Sequence, residues 1–174
     1  MIFGPMIHPP LLRAIAGAGH GAKILIADSN YPHETLANPR STVIFLNLAP
    51  GLINATDVLE VVKHTVPIEK AAIMVPADDA LPQHRPDKIE IHDEYRAALP
   101  DTEFEEIKRW DYYKAASADD VAVVIATGEA RIYANLLLTI GVRAPGQQAA
   151  PGGSSGTWSA SPLFRRAPLG PGRE

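Results

Sequence analysis

At 174 residues, 46% of them hydrophobic, the chain has the size of one globular domain and enough apolar side chain to bury a core. Its formal net charge of −4 argues against the basic face that a phosphate backbone requires, and so against nucleic-acid binding. It contains no cysteine, which excludes a disulfide framework, a thiolate nucleophile and any cysteine-ligated zinc or iron–sulfur centre.

The opening MIFGPMIHPPLL lacks a basic start followed by a long apolar core, so it does not read as a signal peptide. PPLLRAIAGAG begins with prolines suited to a first helical turn and ends in glycine, which predicts a short helix. KILIAD and TVIFLN are continuous apolar runs of strand length. NATDVLEVVKHT predicts a helix, with Asn54 as N-cap, Asp57 in the first turn and Val58, Leu59, Val61 and Val62 on its apolar face. KAAIMVP is a third strand, and DKIEIHDEYRAAL a second helix with Ile89, Ile91 and Tyr95 among its apolar positions. FEEIKRW alternates, as a strand with one exposed face does. DVAVVIAT is another buried strand, and YANLLLTIGV is ambiguous by periodicity. Strands buried on both faces and separated by helices predict an α/β sheet covered on both sides.

From Ala144 the composition changes. That segment holds five of the sixteen prolines and six of the thirteen glycines, and it buries too little to offset its ordering entropy. The expectation is a working domain over residues 1–143 and a flexible tail over 144–174, on which Trp158, Leu163 and Phe164 are the residues suited to docking. No apolar run approaches the roughly 20 residues of a membrane span, so the expected location is the cytoplasm.

Several motifs fail. GAGHG resembles a dinucleotide loop, but a helix precedes it and a strand follows, the reverse of the order that loop needs. There is no phosphate loop and no nucleophile elbow. His20, Asp28 and His33 lack zinc-ligand spacing. His64 reads as a surface or dipole-stabilised histidine, and His84 and His92 as solvated ones.

Two clusters remain. His20 sits between glycines at a helix-to-strand corner, where little side-chain bulk bars the approach of another molecule. An imidazole is a side chain able to give and take a proton in general acid–base catalysis. Asp28 ends the strand that His20 begins; at about 3.3 Å per residue they stand far apart on a straight strand. They meet if the corner folds back, or if two subunits each supply one. The plain alternative is a glycine turn with a surface histidine, and an aspartate capping a loop. The second cluster is Arg109, Trp110, Tyr112 and Tyr113 in KRWDYYKAA, with Glu129, Tyr133 and Asn135 in TGEARIYAN. Such residues offer directional hydrogen bonds to sugar hydroxyls and an apolar platform for the C–H face. The alternative is an ordinary packed strand end rimmed by tyrosines.

GAGHGAKILIADSNYP resembles the GHGDEI…DANFP signature of the L-fucose mutarotase and D-ribose pyranase family, RbsD/FucU. IKRWDYYKAA is similar to that family's arginine followed by aromatics, and VAVVIATGEARIYANLLLTIGV to its closing TGE…YxNxxLxxGV block. The likeness spans about residues 3–143. It implies a three-layer α/β/α subunit in a ring-like homo-oligomer, often a decamer, with sites between neighbours. It also implies an isomerase without cofactor or metal, acting on a free monosaccharide. By position His20 becomes the proton donor, and Asp28, Arg109, Tyr113, Tyr133, the Ala134 backbone and Asn135 become sugar contacts. DSNYP and Arg109 bring the chain closer to the fucose branch than to the ribose branch. Ser29 and Tyr31, however, replace the usual alanine and phenylalanine, and LAPGLINATD also differs. A ribose pyranase and a non-catalytic sugar-binding accessory of uptake are the rival readings.

Overall fold

The computed structural model describes residues 4–145; the extension read from Ala144 lies outside them from residue 146 onward. Twelve elements follow in order: α1 (Pro9–Gly17), β1 (Lys23–Ala27), α2 (His33–Leu36), β2 (Thr42–Phe45), α3 (Ala55–Lys63), β3 (Ile68–Val75), a 3₁₀ turn (Pro82–His84), α4 (Glu90–Ala98), β4 (Glu103–Lys108), α5 (Arg109–Ala116), β5 (Val121–Ala126) and β6 (Leu136–Ile140). None of these helices is long and apolar enough to cross a membrane.

The six strands form one sheet in the order β2-β5-β1-β6-β3-β4. Five run parallel. β6 alone is antiparallel, laid between β1 and β3 with Ile26 opposite Leu136 on one side and Ile73 opposite Leu136 on the other. The connection 127–135 carries no helix, and a parallel return needs a long crossover, so the chain comes back in the opposite sense.

Alternation along the strands sorts side chains to two faces. Ile24, Ile26, Ile73, Val123, Ile125, Leu136 and Leu138 meet Leu11 and Ile15 of α1, Val58, Leu59 and Val62 of α3, and Ile91 and Tyr95 of α4. Leu25, Ala27, Met74, Val124 and Leu137 meet Tyr112 and Ala116 of α5, with Leu36 of α2 at the margin. Helices therefore cover both faces, giving the three-layer α/β/α fold. Each fully buried leucine or isoleucine contributes about 1.5–3 kcal/mol relative to exposure.

Local chemistry sets the helix ends. Pro9 and Pro10 open α1, and the His8 ring accepts a hydrogen bond from the Leu11 N–H at 3.2 Å. At α3 the Asp57 carboxylate accepts from the Asn54 N–H at 2.9 Å, one half of a capping box. The ambiguous YANLLLTIGV is strand β6. FEEIKRW is a strand only as far as Lys108, and Arg109 starts a helix. β4 is an edge strand whose Phe104 and Ile107 pack on opposite faces, so its exposure comes from its position at the sheet margin. One reading is overturned: His92 is not solvated. It is 5% exposed, because it lies on the turn of α4 that faces the 133–134 loop.

Candidate functional site

β1, β3 and β4 end at the edge of the sheet where β6 begins. Asp28 follows β1, Arg109 follows β4, and Tyr133, Ala134 and Asn135 lead into β6. Such crevices outside the carboxyl ends of strands are the usual ligand sites of open α/β sheets. Here the crevice is a pocket of about 310 Å³, at the lower end of the about 300–1,000 Å³ typical of small-molecule sites. Its polar residues are Asp28, Asn30, Tyr31, His84, Arg109, Tyr113, Tyr133 and Asn135, and its apolar wall comes from Met74 and Ile132. A larger groove, about 730 Å³, runs between α1 and β2, but Arg13, Arg40 and Thr42 are its only polar side chains.

Asp28 is 3% exposed. The Asn135 carboxamide serves it twice, donating from Nδ2 to Asp28 Oδ2 at 2.7 Å and accepting the Asp28 N–H on Oδ1 at 3.0 Å. The Asn30 N–H donates to Asp28 Oδ1 at 3.0 Å. Burial raises the Asp28 carboxyl to about 6 and outweighs these bonds and those from the Ala134 and Tyr31 N–H groups, which pull the other way. The result is a carboxyl group that gains and loses a proton near neutrality.

Arg109 opens α5, and its Nε donates to the Tyr113 hydroxyl one turn on, at 3.0 Å. The guanidinium also lies over the Trp110 and Tyr113 rings, at 4.9 and 5.5 Å from their centroids. Trp110 Nε1 donates to Asp79 at 3.0 Å, tying the start of α5 to the loop after β3. The Tyr133 hydroxyl donates to the His84 carbonyl at 2.8 Å. Tyr133 itself has φ +58°, a left-handed conformation uncommon for a residue with a side chain.

Of the residues singled out from the sequence, Asp28, Arg109, Tyr113, Tyr133 and Asn135 line this one pocket. Ala134 lies in the same loop, and its carbonyl accepts from the Tyr95 hydroxyl at 2.7 Å. His20 is elsewhere. It sits at the other end of β1, exposed, with Nε2 3.2 Å from Glu69 Oε2. Glu129 is also outside the pocket. It is buried in a pair with Arg131, at 2.9 Å, and holds the loop from behind. Met74, His84 and Ile132 line the pocket as well and lie outside the sequence candidates. Met74 reads as an ordinary strand residue, and nothing in the sequence marks the loops that bring the other two to the pocket mouth.

Residues 1–143 match the model of the RbsD / FucU transport protein family. A D-ribose pyranase of Variovorax paradoxus is 36% identical over 139 residues, 79% of this chain and 95% of the relative. The human fucose mutarotase is 32% identical over 146 residues, 80% of this chain and 91% of the relative. Among solved structures, the fucose mutarotase of Streptococcus pneumoniae in complex with L-fucose superposes with a TM-score of 0.68 at 26% identity, covering 83% of this chain and all of that one. Bacillus subtilis RbsD complexed with D-ribose gives 0.67 at 27% identity, with the same coverage.

Proposed function

Because the chain belongs to the RbsD/FucU family, we propose that it is a sugar isomerase that interconverts the cyclic forms of a free monosaccharide in the cytoplasm, without a cofactor. The observation that carries this reading is one pocket that gathers a buried carboxyl group, raised to about 6, with a guanidinium, three phenols and two carboxamides.

Ring opening removes the proton of the anomeric hydroxyl, breaks the bond between the anomeric carbon and the ring oxygen, and protonates that oxygen. Closure on the other face of the aldehyde reverses each step. One base and one acid suffice, and positioned groups of this kind contribute about 10²–10⁴-fold. Asp28, ionised, takes the proton of the anomeric hydroxyl. His20 protonates the ring oxygen. Arg109 and Asn135 fix the remaining hydroxyls, and Tyr113 and Tyr133 offer faces and hydroxyls to the sugar ring. His20 and Asp28 lie at opposite ends of β1, so the histidine of each site comes from a neighbouring copy in a ring-like homo-oligomer, a decamer in the family pattern.

L-fucose is the first substrate to test. Met74 and Ile132 give the pocket an apolar wall suited to the methyl group of a 6-deoxy sugar, and Arg109 matches the fucose branch. D-ribose is the second reading, favoured by the 36% identity to a pyranase. Saturation-transfer NMR of anomer exchange tests both sugars, with His20→Ala beside the wild type. The expected result is accelerated exchange of fucose that falls by about 10²–10⁴-fold in the variant. Acceleration of ribose alone would reassign the substrate. Wild-type activity in His20→Ala would remove His20 from the chemistry, and no acceleration of either sugar would leave a binding protein.

A further inference from the structure

The loop that delivers Tyr133 and Asn135 to the pocket is held from the opposite side of the sheet edge by α4. Two side chains one turn apart reach it. His92 Nε2 lies 2.9 Å from the Tyr133 carbonyl, and the Tyr95 hydroxyl donates to the next carbonyl, Ala134, at 2.7 Å. Both side chains are buried, at 5% and 0% exposure. A carbonyl can only accept, so His92 Nε2 carries the hydrogen. Left unpaired in this setting, either carbonyl would forfeit the bond that the buried side chain supplies, which is costly away from water. Tyr133 also holds a left-handed conformation, which persists only where the surroundings over-determine it.

We propose that His92 is a positioning residue of the sugar site: its Nε2–H pins the Tyr133 carbonyl and so fixes the turn that aims the Tyr133 and Asn135 side chains at the substrate. This rests on the isomerase reading above. His92 does not line the pocket, so its effect on the reaction passes through the loop. Tyr95 holds the same loop but also fills the core between α4 and the sheet, which makes His92 the cleaner member of the pair to vary.

Three measurements test it together. In the wild type, long-range proton–nitrogen NMR of the histidines is expected to show His92 with its hydrogen on Nε2; a hydrogen on Nδ1 alone would overturn the proposal without any variant. In His92→Ala, the amide resonances of Tyr133, Ala134 and Asn135 are expected to move while those of α1 and β2 stay. Anomer exchange is expected to slow by about 100-fold, as for a misplacement near 1 Å, chiefly in kcat. In His92→Gln, whose amide N–H can serve the same carbonyl, most of the rate is expected to return. Unmoved 133–135 resonances would overturn the clamp. So would equal losses in the alanine and glutamine variants, which would mark a packing role. If the wild type accelerates no sugar, the isomerase reading fails, and the tautomer and the loop resonances still decide the clamp.

Discussion

In the proposed mechanism Asp28 sets stability against chemistry. Among the described residues it forms no salt bridge, and burial raises its carboxyl from 3.8 to about 6. A raised carboxyl favours the folded state at low pH, where the group is neutral in both states. That advantage is lost as pH climbs from about 4 through about 6, where the folded protein must keep a charge it holds poorly. Near pH 8 the cost is on the order of 3 kcal/mol. Asp28→Asn is therefore expected to melt higher than the wild type at pH 8, to lose that margin near pH 4, and to be inactive at both. Denaturation at the two pH values, beside anomer exchange, checks this; a variant less stable at pH 8 would mean the carboxylate is a net support of the fold. The acidic limb of the wild-type pH–rate profile is expected near 6. The sequence shows this carboxylate as a candidate, because it ends an apolar strand before a polar turn. His92 is not legible in the same way. Its neighbours Glu90, Asp93 and Glu94 suggest a solvated stretch, and only the packing of α4 against the 133–134 loop buries the ring.

At the scale of elements, the clearest sequence signal is the apolar strand run, and KILIAD, TVIFLN and DVAVVIAT all became strands of the parallel part of the sheet. The run LLLTI is different. Both of its faces are buried, so it shows no alternation, and antiparallel insertion between β1 and β3 is a tertiary outcome that no local pattern encodes. RWDYYKAA hides a helix for a related reason: only Tyr112 and Ala116 are buried, too narrow a stripe to read by period. The TGE segment has a structural reading that spacing does not reveal. A Cβ on Gly128 would lie 1.9 Å from the Leu52 carbonyl oxygen and 2.5 Å from that of Ala49, both backbone atoms of the loop before α3. The glycine is thus a point of closest approach between two loops, sealed by the Gly128 N–H donating to the Ile53 carbonyl at 3.0 Å. Gly128→Ala is expected to destabilise the protein by about 3 kcal/mol, since backbone cannot step aside as a side chain can. Chemical denaturation checks the value, and a change below about 0.5 kcal/mol would mean that the two loops separate freely.

On the scale of the whole molecule, the proposed ring makes a strong demand. If every site joins Asp28 of one copy to His20 of its neighbour, two inactive variants should repair each other when assembled together. Mixing unfolded His20→Ala and Asp28→Asn chains and refolding them is expected to place both intact groups in roughly a quarter of the sites, by random neighbour choice around a heterologous ring. Exchange activity is expected to return in that proportion. Two inactive parents giving an inactive mixture would confine the site to one chain. The geometry behind this demand was readable in outline, since the length of one strand separates the histidine from the aspartate. What no sequence spacing supplies is the company each keeps: Glu69 beside His20 at one end, and Asn135 wrapped around Asp28 at the other.

The place of β6 also has a consequence for the order in which the protein can be made. Synthesis delivers residues from the N-terminus at about 5–20 per second, and β6 is the last of the described strands to emerge, yet it belongs in the middle of the sheet. Until it leaves the ribosome, β2-β5-β1 and β3-β4 are two fragments with a bare strand edge apiece, and the edges that must later meet β6 are open to the wrong partner. Asp28 waits through the same interval without Asn135. The pocket is thus among the last pieces to close in each newborn chain, and a translation product halted before residue 133 would carry every described helix, together with Asp28 and Arg109, but neither Tyr133 nor Asn135.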